Sequence, residues 1–197
     1  MAVKTRTALA LLSAVALVAL GASLAGVESS GTGTAVVVYR PITASGALAA
    51  TLRVTEHFRG HCSGGGVAGR SSDRCFTRTS RIIDPCFAAQ PRGPFYCPSN
   101  PMLPEVIEIT VQSPAAVTPL ETAERSWAVQ LAGGQVCIAV NAAIGTRGPL
   151  QCLSTTPGPL EDCRDPVQGS PYWTAACQER SGQTSPFRTY RVVKVWT

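Results

Sequence analysis

Lysine is nearly missing from this 197-residue chain: all but two of its 17 basic residues are arginine. Charged residues of both signs make up only 15% of the chain and aromatics 6%. The net charge of +5 drops by two once Lys4 and Arg6 are set aside. That bias is too small for a phosphate-tracking surface, so nucleic acid is not an expected partner. Beyond the first twenty residues there is no apolar run near the roughly 20 residues that a membrane-spanning helix needs. No two cysteines lie closer than eleven residues, which removes the C-x-x-C spacing of structural zinc sites. Neither G-x-S-x-G nor Gly-Asp-Ser-Gly-Gly occurs, and with them go the usual settings of a serine nucleophile.

What is present begins with "MAVKTRTALALLSAVALVALGASLAG". Two cations, then a short apolar run, then small residues at Ser23-Leu24-Ala25 follow the order of a secretory signal. Cleavage near Ala25 is expected, leaving about 172 residues as a freely secreted, extracellular protein. Val27 stands where a lipobox would need cysteine, so no lipid anchor is expected there. Residues 26–34 are small and polar and read as a flexible lead, with one domain following at 35–197.

Eight cysteines follow the signal: Cys62, Cys75, Cys86, Cys97, Cys137, Cys152, Cys163 and Cys177. An even number in an exported chain reads as a disulfide framework, although eight thiols allow 105 connectivities. The pairs 62–75, 86–97, 137–152 and 163–177 each enclose a stretch rich in Gly, Ser, Pro or Arg that buries little. Near-neighbour pairing is therefore preferred, at roughly 3 kcal/mol per loop of this size. Full pairing also leaves no thiolate for catalysis or metal.

The remaining pattern is of short strands. "AVVVYRP" (35–41) and "ATLRVTEHF" (50–58) are β-branched, and "RIIDPCF" reads as a short strand stopped by Pro85. "PEVIEITVQS" alternates, with Ile107, Ile109 and Val111 on one face and glutamates on the other. "TPLETAER" carries a helix start, with Thr118 as cap, Pro119 at the first position and Glu121 completing a capping box. "SWAVQLAGGQVCIAV" reads as a hairpin turning at Gly133-Gly134, with Trp127, Val129 and Leu131 on one face. "PYWTAAC" and "FRTYRVVKVWT" add two strands. Trp127 and Trp173 are expected in the core. No internal repeat stands out. The expected fold is mainly β: a disulfide-stapled antiparallel sandwich or partly open barrel with one short helix.

Three stretches carry candidate chemistry. "TEHFRGHC" (55–62) holds both histidines, but a metalloprotease helix wants Glu inside a His-Glu-x-x-His pair, and here Glu56 precedes it. On a strand, His57 and His61 would lie about 13 Å apart, too far to share a metal. The plainer reading is a strand ending at Phe58, with Cys62 anchoring a loop that Gly64-Gly65-Gly66 lets bend. "GRSSDRCFTRTSR" places Arg70, Arg74, Arg78 and Arg81 close together. They are a candidate patch for phosphate, sulfate or an acidic wall polymer. The opposing reading is a solvated loop with guanidiniums bonded to Asp73 or Asp84. "AAQPRGPFYCP" between Cys86 and Cys97 presents Arg92 in the way a protease inhibitor holds its reactive segment. A hydrolase would need scattered residues such as Glu56, His57 and Asp84 to be gathered by the fold.

Several of these blocks together resemble a secreted or lipid-anchored actinobacterial domain of unknown function. The marks are Cys62, "DRC" (73–75), "IIDPCF" (82–87), "CP" (97–98), "WAVQLAGGQVC" (127–137), Cys152 and "YWT" (172–174). They span about two-thirds of the expected mature chain, and Asp84-Pro85-Cys86-Phe87 is the most specific. Cys163 and Cys177 stand outside that pattern, and an added pair most simply bonds to itself. The resemblance implies a compact extracellular β-rich module and carries over no catalytic residue. Together these readings point to a secreted, non-enzymatic binding domain of the cell envelope. It would need no cofactor or metal, and its ligand would be an unknown protein or wall polymer. The alternative is a secreted protease inhibitor using the 86–97 loop.

Overall fold

The computed structural model describes residues 33–69, 72–89, 93–111, 125–140, 150–153, 160–180 and 185–197. Twelve strands account for their regular structure, and there is no helix among the described residues. The helix expected at Thr118 to Glu121 lies outside them, as does the expected signal at residues 1–25.

Five strands close the first barrel: β2 (Arg53–Gly64), β3 (Asp73–Thr77), β4 (Ile82–Ala88), β5 (Phe95–Pro98) and β6 (Glu105–Val111). Each is antiparallel to the next. The ring then shuts through a parallel pairing of β6 with β2. β2 can serve both neighbours because it is long: Arg53–Gly60 pairs with β6, and Gly60–Gly64 pairs with β3. The strand therefore does not end at Phe58, and Cys62 sits within it rather than in a loop. Gly60 is the reason. A Cβ there would stand 2.1 Å from the Phe76 carbonyl oxygen, so only glycine lets β3 approach at the point where β2 changes partners.

Pro85, expected to stop a strand, lies inside β4 and is fully buried. β4 pairs with β3 at Ile82, Ile83 and Cys86, across a register shift between Asp73 and Cys75. At such an irregularity the missing N–H of proline breaks no ladder bond.

The second ring contains β7 (Ala128–Leu131), β8 (Val136–Ala139), β9 (Leu150–Cys152), β10 (Glu161–Cys163), β11 (Trp173–Glu179) and β12 (Arg188–Trp196). Neighbours are antiparallel, and β12 returns to β7. β7 and β8 form the expected hairpin, with Gly134 at φ +86° in its turn. β1 (Ala35–Val37) runs parallel to β12 at Lys194–Trp196, continuing the edge that β11 occupies at Arg188–Val192. Thr34, at the end of the expected flexible lead, is fastened there. Its hydroxyl donates to the Val192 carbonyl (2.6 Å) and accepts from the Trp173 N–H (2.7 Å). The fold is mainly β and antiparallel, as expected, and both rings are closed rather than partly open.

All four disulfides join near neighbours: Cys62–Cys75, Cys86–Cys97, Cys137–Cys152 and Cys163–Cys177. Each ties two adjacent strands, and there are no free cysteines. Their sulfurs form two buried clusters. Cys75, Cys86 and Cys97 gather in the first barrel, and Cys137, Cys152 and Cys163 in the second ring, within 4.8 Å of one another in each case. Around the first cluster pack Ile83, Phe95, Ile107 and Ile109. Around the second pack Val129, Leu131, Leu150, Val192 and Val195. A third core lies between the rings, where Phe87 of β4 and Ala68 of the β2–β3 loop meet Trp127, Ala128 and Trp196. Burying two indoles and a phenyl ring at this seam makes Gly31–Thr197 one compact unit. Trp173, expected in the core, is half-buried against the second ring's cluster.

Candidate functional site

The two histidines project outward from β2 and do not converge. His57 meets Glu108 across the parallel pairing (Nδ1–Oε1 3.3 Å), and His61 stacks on Phe76 at 4.9 Å. Strand rise separates them by about 13 Å. The hydrolase set is likewise dispersed: Glu56 bonds Arg81, His57 faces Glu108, and Asp84 is buried beside Arg74. Among the described residues, the only clusters of three or more potential metal ligands are the two cysteine groups. Every sulfur in them is bonded in a disulfide and so offers no thiolate.

The arginine stretch is partly internalised. Arg74 Nε donates to Asp84 Oδ2 at 2.9 Å, and Arg81 Nη1 donates to Glu56 Oε2 at 3.1 Å while lying over the Phe58 ring. Arg78 is exposed, and Arg70 falls outside the described residues. So the pairing of a guanidinium with Asp84 is present, while Arg78 and the Glu56-paired Arg81 both face solvent. Arg92 also lies outside the described residues. The hairpin that would carry it is closed by the Ala89 N–H donating to the Pro94 carbonyl (2.9 Å), above the Cys86–Cys97 bridge.

Beneath that stretch lie two neighbouring acids, Asp84 buried and Asp73 half-buried. Asp84, with a side chain 4% exposed, accepts from the Val67 N–H (2.7 Å) through its other oxygen. Burial pushes its carboxyl above the usual range, and the bonds from Val67 and Arg74 pull it back in part. Asp73 is pushed up by burial and by the neighbouring Asp84, and its Oδ1 is buried without a hydrogen-bond partner. The arrangement staples the β2–β3 loop to β4. A counterpart in the second ring was not legible in the sequence. Asp162, 6% exposed, accepts from Arg180 Nε and Nη2 (3.0 and 2.8 Å), and buried Glu161 accepts from the Tyr190 hydroxyl (2.6 Å). The glutamate bond raises the Tyr190 pKa.

Two recesses flank the seam core. One, about 210 Å³, lies between β4 (Ile82, Ile83, Asp84) and the second ring's Trp127, Ile138 and Ala139. Trp127 is fully buried, and its indole N–H has no acceptor. The other, about 340 Å³, is lined by Tyr39, Ile42 and Phe87 among others. The Tyr39 hydroxyl is buried without a partner, and burial pushes its pKa up to about 12. Tyr39 stands edge-on to Trp127 at 5.4 Å, so one aromatic cluster separates the two recesses. Sequence reasoning missed both, because their walls come from segments some fifty residues apart with apolar side chains. The lone signal was a tryptophan beside a strand.

Compared with protein-family models, with curated proteins and with solved structures, the chain matches none of them. Among the described residues no helix is long and apolar enough to cross a membrane.

Proposed function

We propose that this protein is a secreted, non-enzymatic binding domain that works at the cell envelope. The observation that carries the reading is the complete pairing of eight cysteines into four core disulfides. Such bonds persist in oxidising, extracellular surroundings and would be reduced in a cytosol. The secretory character of the first 25 residues and the resemblance to an envelope-associated actinobacterial module support it. So does the dispersal of Glu56, His57 and Asp84 into separate ion pairs. The oxidised protein is expected to be retained by a cell-wall fraction, and exposed Arg78 supplies a contact for anionic wall polymer. Retention is measured at low salt with the parent chain and with Arg78→Ala. No retention of the parent chain ends the reading, and unchanged retention of the variant removes only the arginine contact.

One observation favours the inhibitor as a second reading. The 86–97 hairpin is held from below by a disulfide and closed at Ala89 and Pro94, the kind of clamp that lets a loop resist cleavage. Stoichiometric inhibition of a trypsin-like protease, lost in Arg92→Ala, is the outcome it requires. Plain digestion disposes of it.

A further inference from the structure

We propose that the free edge of β1, with the recess at its C-terminal end, binds an extended acidic segment of a partner protein by adding it as a further strand. Every other described strand is flanked on both sides, because each belongs to a closed ring. β1 alone among them has a single neighbour, β12. On that side the Val37 carbonyl accepts from the Thr197 N–H (3.0 Å), and the Tyr39 N–H donates to the Thr197 carbonyl (2.9 Å). Successive residues of a strand turn their polar groups to opposite edges, so the N–H and C=O of Val36 and Val38 point away from β12. Both residues are about half exposed, at 53% and 49%. Two donors and two acceptors in line, at the spacing of alternate residues, match a polypeptide backbone. The edge is short, but it carries no other device that keeps strands apart. Ala35-Val36-Val37-Val38 has no charge, no proline and no break in register.

The surroundings of the edge set the chemistry of its occupant. The recess of about 340 Å³ begins at Val38 and continues along Ile42 and Phe87. A strand lying beside Val38 can therefore place one apolar side chain in it. The buried Tyr39 hydroxyl takes no part. The charged residues that flank the edge are Arg40, which lines the recess, and Lys194, opposite Ala35 on β12. Arg40 is exposed and has no carboxylate partner among the described residues, and Lys194 rests over the Trp196 ring at 5.4 Å. No acid lines the recess. Two cations favour an acidic partner and disfavour a second copy, which would bring the same cations to the same edge.

Wall retention through Arg78 plays no part here, so either reading can fail alone. The probe is a pool of acetylated, amidated peptides in which Val or Ile alternates with Glu or Thr; a matched pool carries Lys in place of Glu. Each is titrated into the oxidised, ¹⁵N-labelled full chain, and amide hydrogen exchange is followed. In the free chain the Val37 and Tyr39 amides are expected to exchange slowly, and those of Val36 and Val38 fast. With the tightest acidic peptide at about ten times its Kd, Val36 and Val38 are expected to slow about tenfold. The Lys counterpart is expected to bind about fivefold more weakly at low salt, the scale of one exposed ion pair. Arg40→Glu is expected to reverse that order. Val36→Pro removes an edge donor and no bond to β12, so it is expected to keep the slow Tyr39 amide and lose the peptide. Where that variant loosens β1, the order of the two pools with Arg40→Glu decides. The proposal is overturned by no binding up to about 1 mM, by equal binding of both pools, or by binding that leaves Val36 and Val38 fast. Undiminished binding by a folded Val36→Pro also overturns it. So does protection of those two amides without peptide: if constant, the chain covers its own edge, and if it rises with protein concentration, a second copy does.

Discussion

The first barrel and the second ring solve one problem with the same parts in different arrangements. Each holds two cross-strand disulfides whose sulfurs touch in the core, spanning 13 and 11 residues in one and 15 and 14 in the other. Each also buries one aspartate against an arginine that is about a third exposed, Asp84 with Arg74 and Asp162 with Arg180. They differ in closure. The first shuts by a parallel pairing along β2, whereas the second inserts β7 between β12 and β8 and stays antiparallel throughout. They also differ in how well their acids are satisfied. In the second ring Glu161 and Asp162 both accept hydrogen bonds, while in the first Asp73 leaves a buried oxygen bare. The staples are therefore the shared requirement, and polar satisfaction is the variable one. A short strand such as Asp73–Thr77 or Glu161–Cys163 has too little apolar surface to hold its place alone, and a covalent bond to its neighbour replaces what is missing.

If that comparison is sound, paired cysteine-to-alanine variants should cost the two rings equally. Removing Cys62–Cys75 or Cys163–Cys177 is expected to lower stability by about 3 kcal/mol each, since the loops are of similar length. Urea unfolding of the two double variants measures this, and a difference of more than about 2 kcal/mol breaks the equivalence. Next come the ion pairs. Asp84→Ala and Asp162→Ala each strand a half-buried guanidinium, and each is expected to lose about 3 kcal/mol. Asp84→Ala should be the worse of the two, because it also orphans the Val67 N–H.

A smaller effect separates a glycine of each ring. Gly60→Ala forces a methyl group against the Phe76 carbonyl and should cost about 2 kcal/mol. Gly133→Ala, with nothing within 4 Å of the new Cβ, should stay within about 0.5 kcal/mol. Equal costs would mean that β2 does not pass from β6 to β3 at Gly60.

That glycine also shows where sequence reading stopped. Alternation in β6 and the turn at Gly133-Gly134 were legible because each is a local pattern of period two broken by a turn residue. The nearest-neighbour disulfides were legible because loops of this composition need a tie. The passage of β2 through Gly60, and of β4 through Pro85, was not. In both, the residue looks like a breaker, and only a distant strand explains why it is tolerated. β3, β5, β9 and β10 were unread for the same cause: three to five residues each, held by cysteine and by closure rather than by propensity. Of the candidate site residues, the bonding of an arginine to Asp84 was foreseen, and the recess beside Trp127 was not.

The smallest expected effect is a pH dependence on the acid side, carried by the first barrel. Asp73 has a raised pKa in the folded chain, so below its ordinary value near 3.8 the neutral acid is accommodated without loss. As pH rises from there through the folded-state value, the unfolded chain releases its proton first and stability falls. Asp73→Asn removes that loss. Its melting temperature should exceed the parent's by roughly 2 °C at pH 7, and the gain should vanish below pH 3.8. A gain that is the same at all pH values assigns the effect to something other than the bare oxygen.

The most direct test of two separately stapled rings is alkylation of the unreduced chain followed by non-reducing peptide mapping. Four bridged peptides are expected, 62–75, 86–97, 137–152 and 163–177, with no cysteine labelled. A labelled thiol, or a single bridge joining a cysteine of the first barrel to one of the second ring, would contradict it.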